Sequence, residues 1–102
     1  MKQIYISELS KYEGQEISIS GWIYHKRSSG KVRFIVIRDG SGYLQCVYFK
    51  GNVTPEVFEL TDTLGQESSV TVMGIVKKTD KAPGGYEIDA RDLEVISLAK
   101  DY

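Results

Sequence analysis

Apolar and polar residues alternate along most of this chain, which is the pattern of half-buried β-strands. The first alternating segment runs from Glu16 to Tyr24 and places Ile17, Ile19 and Ile23 on one face. Gly21 lies inside it and predicts a bend or a close backbone approach, as where a small barrel curls. Four later segments also predict strands, namely Val32–Arg38, Tyr43–Phe49, Ser69–Val76 and Tyr86–Leu98.

Turn and helix signals separate these strands. A short helical turn is predicted from Ser7, acting as N-cap, to Tyr12. The residues Asp39–Gly42 predict a tight turn between the second and third strands. Thr54 and Pro55 are typical of the N-cap and first position of a helix, which is predicted to line one side with apolar residues and to end at Gly65.

The resulting order is three strands, one helix and two strands within 102 residues. This is the order of the OB-fold, an all-β five-stranded Greek-key barrel. Oligonucleotides bind its second and third strands, flanked by the loop joining strands one and two and the loop joining strands four and five. In this chain those loops are predicted to be His25–Lys31 and Lys77–Gly85, the two most basic loops. The pattern therefore predicts a single OB-fold domain over residues 1–102, with a nucleic-acid-binding face.

Charge is distributed unevenly along the chain. The formal net charge is −1, but the segment from Ile17 to Arg38 carries five cations and no acid, so the remainder sums to −6. A basic segment on an acidic body can steer a polyanion to one face. Charge alone leaves a solvated basic loop as the alternative.

Composition excludes several other classes. Cys46 is the only cysteine and His25 the only histidine, so a disulfide scaffold is ruled out and a zinc site nearly so. No apolar run approaches the roughly 20 residues of a membrane span. No positioned base accompanies Cys46, which is expected to be a buried small hydrophobe, so the segment is predicted to be non-catalytic. Asp89, Asp92 and Glu94 are expected to form a solvated edge.

Phe34 and Gln45 are the candidates for base recognition. The intervening turn places them on neighbouring strands, and a ring with an adjacent amide can stack on one base and hydrogen-bond its edge. Periodicity leaves another interpretation open for each. Phe34 shares a face with Val32 and Val36 and could be a core aromatic, and Gln45 could be an ordinary exposed strand amide.

The segment Gly21–Val47, GWIYHKRSSGKVRFIVIRDGSGYLQCV, resembles the N-terminal anticodon-binding domain of the class IIb aminoacyl-tRNA synthetases. This group comprises the aspartate, asparagine and lysine enzymes. The blocks Gln66–Val70 and Lys81–Ile88 resemble the asparagine enzymes most. The resemblance extends from about Ile4 to Ile96 and implies that the partner is a tRNA anticodon stem-loop, that of tRNA-Asn.

The resemblance also implies roles for individual residues. Phe34 is expected to stack on the central anticodon base, and Gln45 to hydrogen-bond that base. Glu87, opening the last strand, is expected at the anticodon, and Arg27 on the backbone of the stem-loop. The full expected nucleic-acid-binding set is Phe34, Gln45, Glu87, Arg27, Lys26, Lys31 and Arg33, with the four basic residues holding phosphates.

In the parent enzyme the resemblance implies ATP-dependent aminoacylation. ATP and magnesium are expected only in a catalytic domain absent from these residues, so no cofactor and no metal is expected here. A cytoplasmic location, no membrane partner, a monomeric isolated domain and a homodimeric parent enzyme are also expected. Three alternatives stay open: the anticodon-binding domain of an aspartate–tRNA ligase, a general single-strand binder and a protein-interaction OB domain.

Overall fold

The computed structural model describes residues 3–65, 68–80 and 85–97. The described elements, in chain order, are β1 (Gln3–Ile4), a 3₁₀ helix (Ile6–Tyr12), β2 (Glu16–Ser29), β3 (Val32–Arg38), β4 (Tyr43–Phe49), α1 (Pro55–Thr63), β5 (Ser69–Lys78) and β6 (Tyr86–Ser97). The five predicted strands and the helix between the third and fourth are confirmed. Leu98, predicted as the end of the last strand, lies outside the described residues.

The five long strands close into a ring. The order within the sheet is β1-β2-β3-β4-β6-β5, and β2 pairs with β5 as well as with β3. Strands β4 and β6 run parallel, while the other pairings of the ring are antiparallel. This topology confirms the predicted OB-fold. β1 adds an unpredicted two-residue strand that pairs in parallel with β2.

The core lies inside the ring and follows the predicted alternation. Ile17, Ile19 and Ile23 are all buried, as the pattern of β2 requires. Gly21 lies where β2 passes from one neighbour to the other, and a Cβ atom there would lie 2.6 Å from the carbonyl oxygen of Arg38. The predicted close backbone approach is therefore confirmed, and it requires glycine.

The predicted loop His25–Lys31 is wrong. β2 continues to Ser29 and pairs with β3 along this whole arm, leaving a turn at Gly30 and Lys31. A bulge between Ile23 and His25 shifts the register and interrupts the alternation. Backbone hydrogen bonds need no apolar side chains, so a polar strand arm looks like a loop in the sequence.

The predicted loop Lys77–Gly85 begins too early. Lys77 and Lys78 belong to β5 and pair with Glu87 and Tyr86 of β6. Residues 81–84 of this predicted loop lie outside the described residues.

The prediction of Ser7 as an N-cap is also wrong. The 3₁₀ helix begins at Ile6, and the Tyr5 N–H donates to Oε1 of Glu8 over 3.2 Å. The Ile6 N–H donates to Oδ2 of Asp39 over 2.8 Å, which ties the N-terminal segment to the β3–β4 turn. Burial tends to raise the pKa of Asp39, but hydrogen bonds from Ser41, Ile6 and Gly42 outweigh it and lower the pKa.

Helix α1 closes one end of the barrel. Thr54 Oγ1 accepts a hydrogen bond from the Val57 N–H over 3.2 Å, and Pro55 is the first helical residue, as predicted. The helix ends at Thr63, and Leu64 rather than Gly65 follows it as the C-cap. Phe58 is its buried aromatic residue. No helix in the described ranges is long and apolar enough to cross a membrane.

Candidate nucleic-acid interface

Phe34 lies on the outer face of β3. Its neighbour Ile35 is buried in the core, whereas Phe34 is only partly buried and points to the opposite side of the sheet. In the register, Phe34 pairs with Val47 of β4 and with Arg27 of β2. The alternative of a core aromatic is therefore wrong, and the ring is available at the surface of the second and third long strands.

Arg27 covers this ring. Its guanidinium carbon lies 4.1 Å from the centroid of the Phe34 ring, a cation–π geometry. Arg27 is exposed, and the ring is the only side-chain partner it has among the described residues.

Gln45 and Glu87 form a pair beside the ring. Nε2 of Gln45 donates to Oε2 of Glu87 over 3.2 Å, on the adjacent parallel strands β4 and β6. Gln45 pairs with Val36 of β3 and is therefore the diagonal neighbour of Phe34, a Cα separation of about 7–8 Å. The structure thus brings Phe34, Gln45, Glu87 and Arg27 together on one surface, which we call the open face.

Lys26 and Arg33 point to the opposite side, toward α1. Lys26 Nζ donates to the carbonyl oxygens of Thr61 and Asp62 over 3.3 and 3.2 Å, at the C-terminal end of the helix. Nε of Arg33 lies 2.8 Å from Oδ1 of Asp62, and its guanidinium carbon lies 4.4 Å from the centroid of the Phe58 ring. Phosphate binding by Lys26 and Arg33 stays a prediction, and each would first have to leave these contacts.

Lys31 lies in the exposed turn between β2 and β3. This turn is next to the end of β4, because the Lys50 N–H donates to the Lys31 carbonyl oxygen over 2.9 Å. The predicted cations are therefore divided, with Arg27 and Lys31 at the open face or its border and Lys26 and Arg33 at α1.

Sequence reasoning missed the position of Asp89. Asp89 is buried, whereas it was expected at a solvated edge. Its Oδ2 lies 2.9 Å from Nη2 of Arg91 and 3.2 Å from Nζ of Lys77, and it pairs in register with Val47. Arg91 is two residues away on the same strand, but Lys77 lies on β5, so the local sequence does not show that both cations meet at Asp89.

Several exposed aromatic residues were also not singled out by the sequence. Tyr24 and Tyr43 pack edge to face with ring centroids 4.8 Å apart, and both rings are exposed. Phe49 is exposed at the last position of β4. For Tyr43 and Phe49 the available signal was their outward phase in the alternation of β4, where they share a face with Gln45 and Val47.

Cys46 is fully buried, as predicted, and burial together with the charge of Glu87 raises the pKa of its thiol far above the usual value. A thiol with such a pKa is not a nucleophile. The described residues hold no group of three or more potential metal ligands.

A closed five-stranded sheet that presents an aromatic ring, an amide, a carboxylate and a cation on one face defines an OB-fold domain of the nucleic-acid-binding class. Comparison with known families agrees. Residues 17–96 match the family model of the tRNA anticodon OB-fold nucleic acid binding domain, and the chain belongs to this family.

The relatives that the chain matches include aminoacyl-tRNA ligases. Over all 102 residues the chain is 49% identical to the asparagine–tRNA ligase of Symbiobacterium thermophilum, and it covers 23% of the length of that protein. It matches the crystal structure of asparaginyl-tRNA synthetase from Pyrococcus horikoshii with a TM-score of 0.91 and 39% identity, covering 100% of this chain and 24% of that one. Aspartyl-tRNA synthetase from Entamoeba histolytica gives a TM-score of 0.89 at 25% identity, with 100% and 22% covered. The chain thus spans about a quarter of the relatives it matches.

Proposed function

We propose that this chain binds the anticodon loop of a tRNA and acts as the anticodon-recognition domain of an asparagine–tRNA ligase. The observation that carries the proposal is the partly exposed ring of Phe34, diagonal to the Gln45–Glu87 pair on the open face. Stacking and edge recognition of one unpaired base need these groups at this separation.

Phe34 provides the stacking platform for the central anticodon base. Arg27 lies over the ring in the free domain, so a base that stacks there takes the place of its guanidinium. The exposed Arg27 side chain then turns toward the neighbouring phosphate. Each stacked base contributes about 1–3 kcal/mol.

Gln45 reads the edge of that base. Its amide combines a donor and an acceptor, as does the Watson–Crick edge of uridine. Because a carboxylate only accepts hydrogen bonds, Glu87 holds the amino group of Gln45 on its own side and turns Oε1 toward the base. The N3–H of a central uridine donates to this oxygen, whereas cytidine has no N–H at that position.

Phosphate contacts supply the remaining affinity. Arg27 and Lys31 are exposed cations at the open face or its border and make these contacts, whereas Lys26 and Arg33 would add contacts only if RNA binding released them from α1. A domain with few phosphate contacts binds weakly, with an affinity that falls steeply as salt rises.

The choice of asparagine is supported by the higher identity to asparagine–tRNA ligases, 49% against 25% for the aspartyl enzyme. In this proposal the domain is monomeric by itself and works within a longer cytoplasmic enzyme. ATP-dependent aminoacylation takes place outside this chain, whose residues only select the tRNA.

Titration of the wild-type chain with a panel of RNAs tests the proposal. The panel contains a stem-loop with a GUU anticodon, the same stem-loop with each other central base, one with GUC, and a scrambled single strand. We expect the GUU stem-loop to bind most tightly and every change of the central base to weaken binding. Equal affinity for the scrambled strand would indicate a general single-strand binder, and a preference for GUC would indicate the aspartate enzyme. The absence of RNA binding would overturn the proposal.

A further inference from the structure

Phe49 is an exposed aromatic residue on the open face. It is 42% exposed, although the preceding Tyr48 is fully buried in the core. The alternation of β4 therefore places Phe49 on the same side as Gln45 and Val47, at the end of the strand farthest from the β3–β4 turn.

Phe49 and Phe34 are diagonal neighbours on adjacent strands. Phe49 pairs with Val32, and Phe34 pairs with Val47, so each ring is one diagonal step from the other, about 7–8 Å between Cα atoms. Gln45 occupies the other diagonal position from Phe34. On the open face, Phe34 therefore lies between Gln45, which is proposed to read the edge of a base, and a second aromatic ring, that of Phe49. Sheets that bind single-stranded RNA use neighbouring aromatic residues of this kind to stack successive bases.

Two lysines border Phe49. Lys50 follows it directly, and the backbone hydrogen bond from Lys50 to Lys31 brings the β2–β3 turn alongside. Both lysines are exposed, and within the described ranges neither ammonium group has an ion-pair or hydrogen-bond partner. A cation pair beside an exposed ring is complementary to a nucleotide, which combines a flat base with a phosphate.

We propose that Phe49, Lys31 and Lys50 form a second nucleotide-binding position, adjacent to Phe34. Phe49 stacks on the base next to the one held by Phe34, and the two lysines hold the phosphate of that nucleotide. This inference rests on the proposed function, because the occupant is the next nucleotide of the same RNA strand. Continuity with the open face and complementary charge favour a nucleotide over an apolar protein segment.

The test compares variants with the GUU anticodon stem-loop and with two stem-loops in which the nucleotide on one side of the central base is abasic. We expect Phe49→Ala to weaken binding of the intact stem-loop by about tenfold. Phe49→Tyr keeps the ring and is expected to keep the affinity, and the abasic stem-loops with the wild-type chain cover the case in which Phe49→Ala fails to fold. Ile96→Ala is the matched control, because Ile96 is also an exposed apolar strand residue and lies outside the open face.

The abasic stem-loops identify stacking. For one of the two, removal of the base should itself weaken binding to the wild-type chain, and Phe49→Ala should then have no further effect. An equal effect of Phe49→Ala on the intact stem-loop and on both abasic ones would overturn the inference, because the ring would then contact something other than a neighbouring base. An unchanged affinity of Phe49→Ala for the intact stem-loop would also overturn it.

Phe34→Ala in the same assay separates this inference from the proposed function. If Phe34→Ala loses RNA binding and Phe49→Ala does not, only the proposed second nucleotide-binding position is contradicted. Unchanged binding in both variants removes the proposed function itself.

Discussion

Two arginine–phenylalanine pairs lie on opposite sides of β3, and they differ in whether the phenylalanine ring reaches solvent. On the open face, the guanidinium of Arg27 lies 4.1 Å from the Phe34 ring, and both residues reach solvent. At α1, the guanidinium of Arg33 lies 4.4 Å from the Phe58 ring, which is buried. Arg33 is also held by Asp62, with contacts of 2.8 and 3.4 Å.

The difference shows what separates a binding surface from a structural contact. Arg33 has a carboxylate partner and a buried ring, so its charge is already compensated by the fold. Among the described residues Arg27 has only a ring as its side-chain partner, and an exposed cation on a partly exposed ring can exchange that contact for a base and a phosphate. Arg33 and Phe34 are consecutive in the sequence, yet the alternation of the strand sends them to different sides.

The largest expected effect is the loss of stability in Phe58→Ala. Removing a buried ring from the end of the barrel should lower the free energy of unfolding by about 3–5 kcal/mol. Denaturant unfolding measures the change, and the fraction that is folded should keep its affinity for RNA. A selective loss of RNA binding without a loss of stability would contradict the structural role of this pair.

Phe34→Ala should weaken RNA binding and leave stability nearly unchanged, the reverse of Phe58→Ala. We expect the affinity for the anticodon stem-loop to fall at least tenfold, within the roughly 1–3 kcal/mol of one stacked base, while the melting temperature stays close to that of the wild type. Tyr5→Ala serves as a control, because Tyr5 is an exposed aromatic residue outside the open face. If binding declines only as far as the protein unfolds, Phe34 is a structural residue.

Gln45→Ala should reduce discrimination rather than overall binding. The preference for uridine at the central anticodon position should fall by roughly the 1 kcal/mol of one hydrogen bond. Titration with the four central-base stem-loops measures it. An equal loss of affinity for all four bases would exclude a reading role for Gln45.

Arg27→Gln and Arg33→Gln compare the two arginines directly. Arg27→Gln should flatten the slope of log K against log salt by about 0.7, the value for one contact with a single strand. Arg33→Gln should instead lower the free energy of unfolding by less than about 1 kcal/mol, because its ion pair is partly exposed. An equally flattened slope in Arg33→Gln would mean that Arg33 leaves Asp62 when RNA binds.

The smallest expected effect is the acid dependence contributed by Asp39, which belongs to neither pair. Its pKa is lowered in the folded state, so its stabilising contribution is present above the usual value of 3.8 and is lost as the pH falls through the lowered pKa. The difference in unfolding free energy between wild type and Asp39→Asn should therefore shrink in acid. RNA binding by Asp39→Asn at neutral pH should be unchanged, and a loss there would connect this turn to the open face.

Much of the fold was predictable from the sequence because its signals are local. The alternation of Ile17, Ile19 and Ile23, the Asp39–Gly42 turn and the Thr54–Pro55 helix start each depend on residues a few positions apart. The polar arm of β2 was not predictable in this way, since its pairing with β3 is made by backbone groups. The prediction of Ser7 as the N-cap failed for a similar reason. The N–H groups of Ile6 and Ser7 donate to side chains of Asp39 and Ser41, which are 33 and 34 residues away in the sequence.

The candidate site was predictable where a spacing and a turn fix the geometry. Phe34 and Gln45 lie on either side of the tight turn Asp39–Gly42, so their proximity could be predicted by counting residues outward from that turn. The contacts of Lys26 and Arg33 with Asp62 did not follow, because Asp62 lies on a helix that the strand pattern does not position. The burial of Asp89 was missed because Lys77 comes from another strand.

Chemical-shift mapping of the wild-type chain with the GUU stem-loop tests most directly whether the open face is the RNA-binding surface. We expect the largest amide and side-chain shifts at Phe34, Gln45 and Glu87, with small shifts at Phe58 and Asp62 on the opposite side of β3. Shifts centred on Phe58 and Asp62, or the absence of any shift at Phe34, would contradict the account.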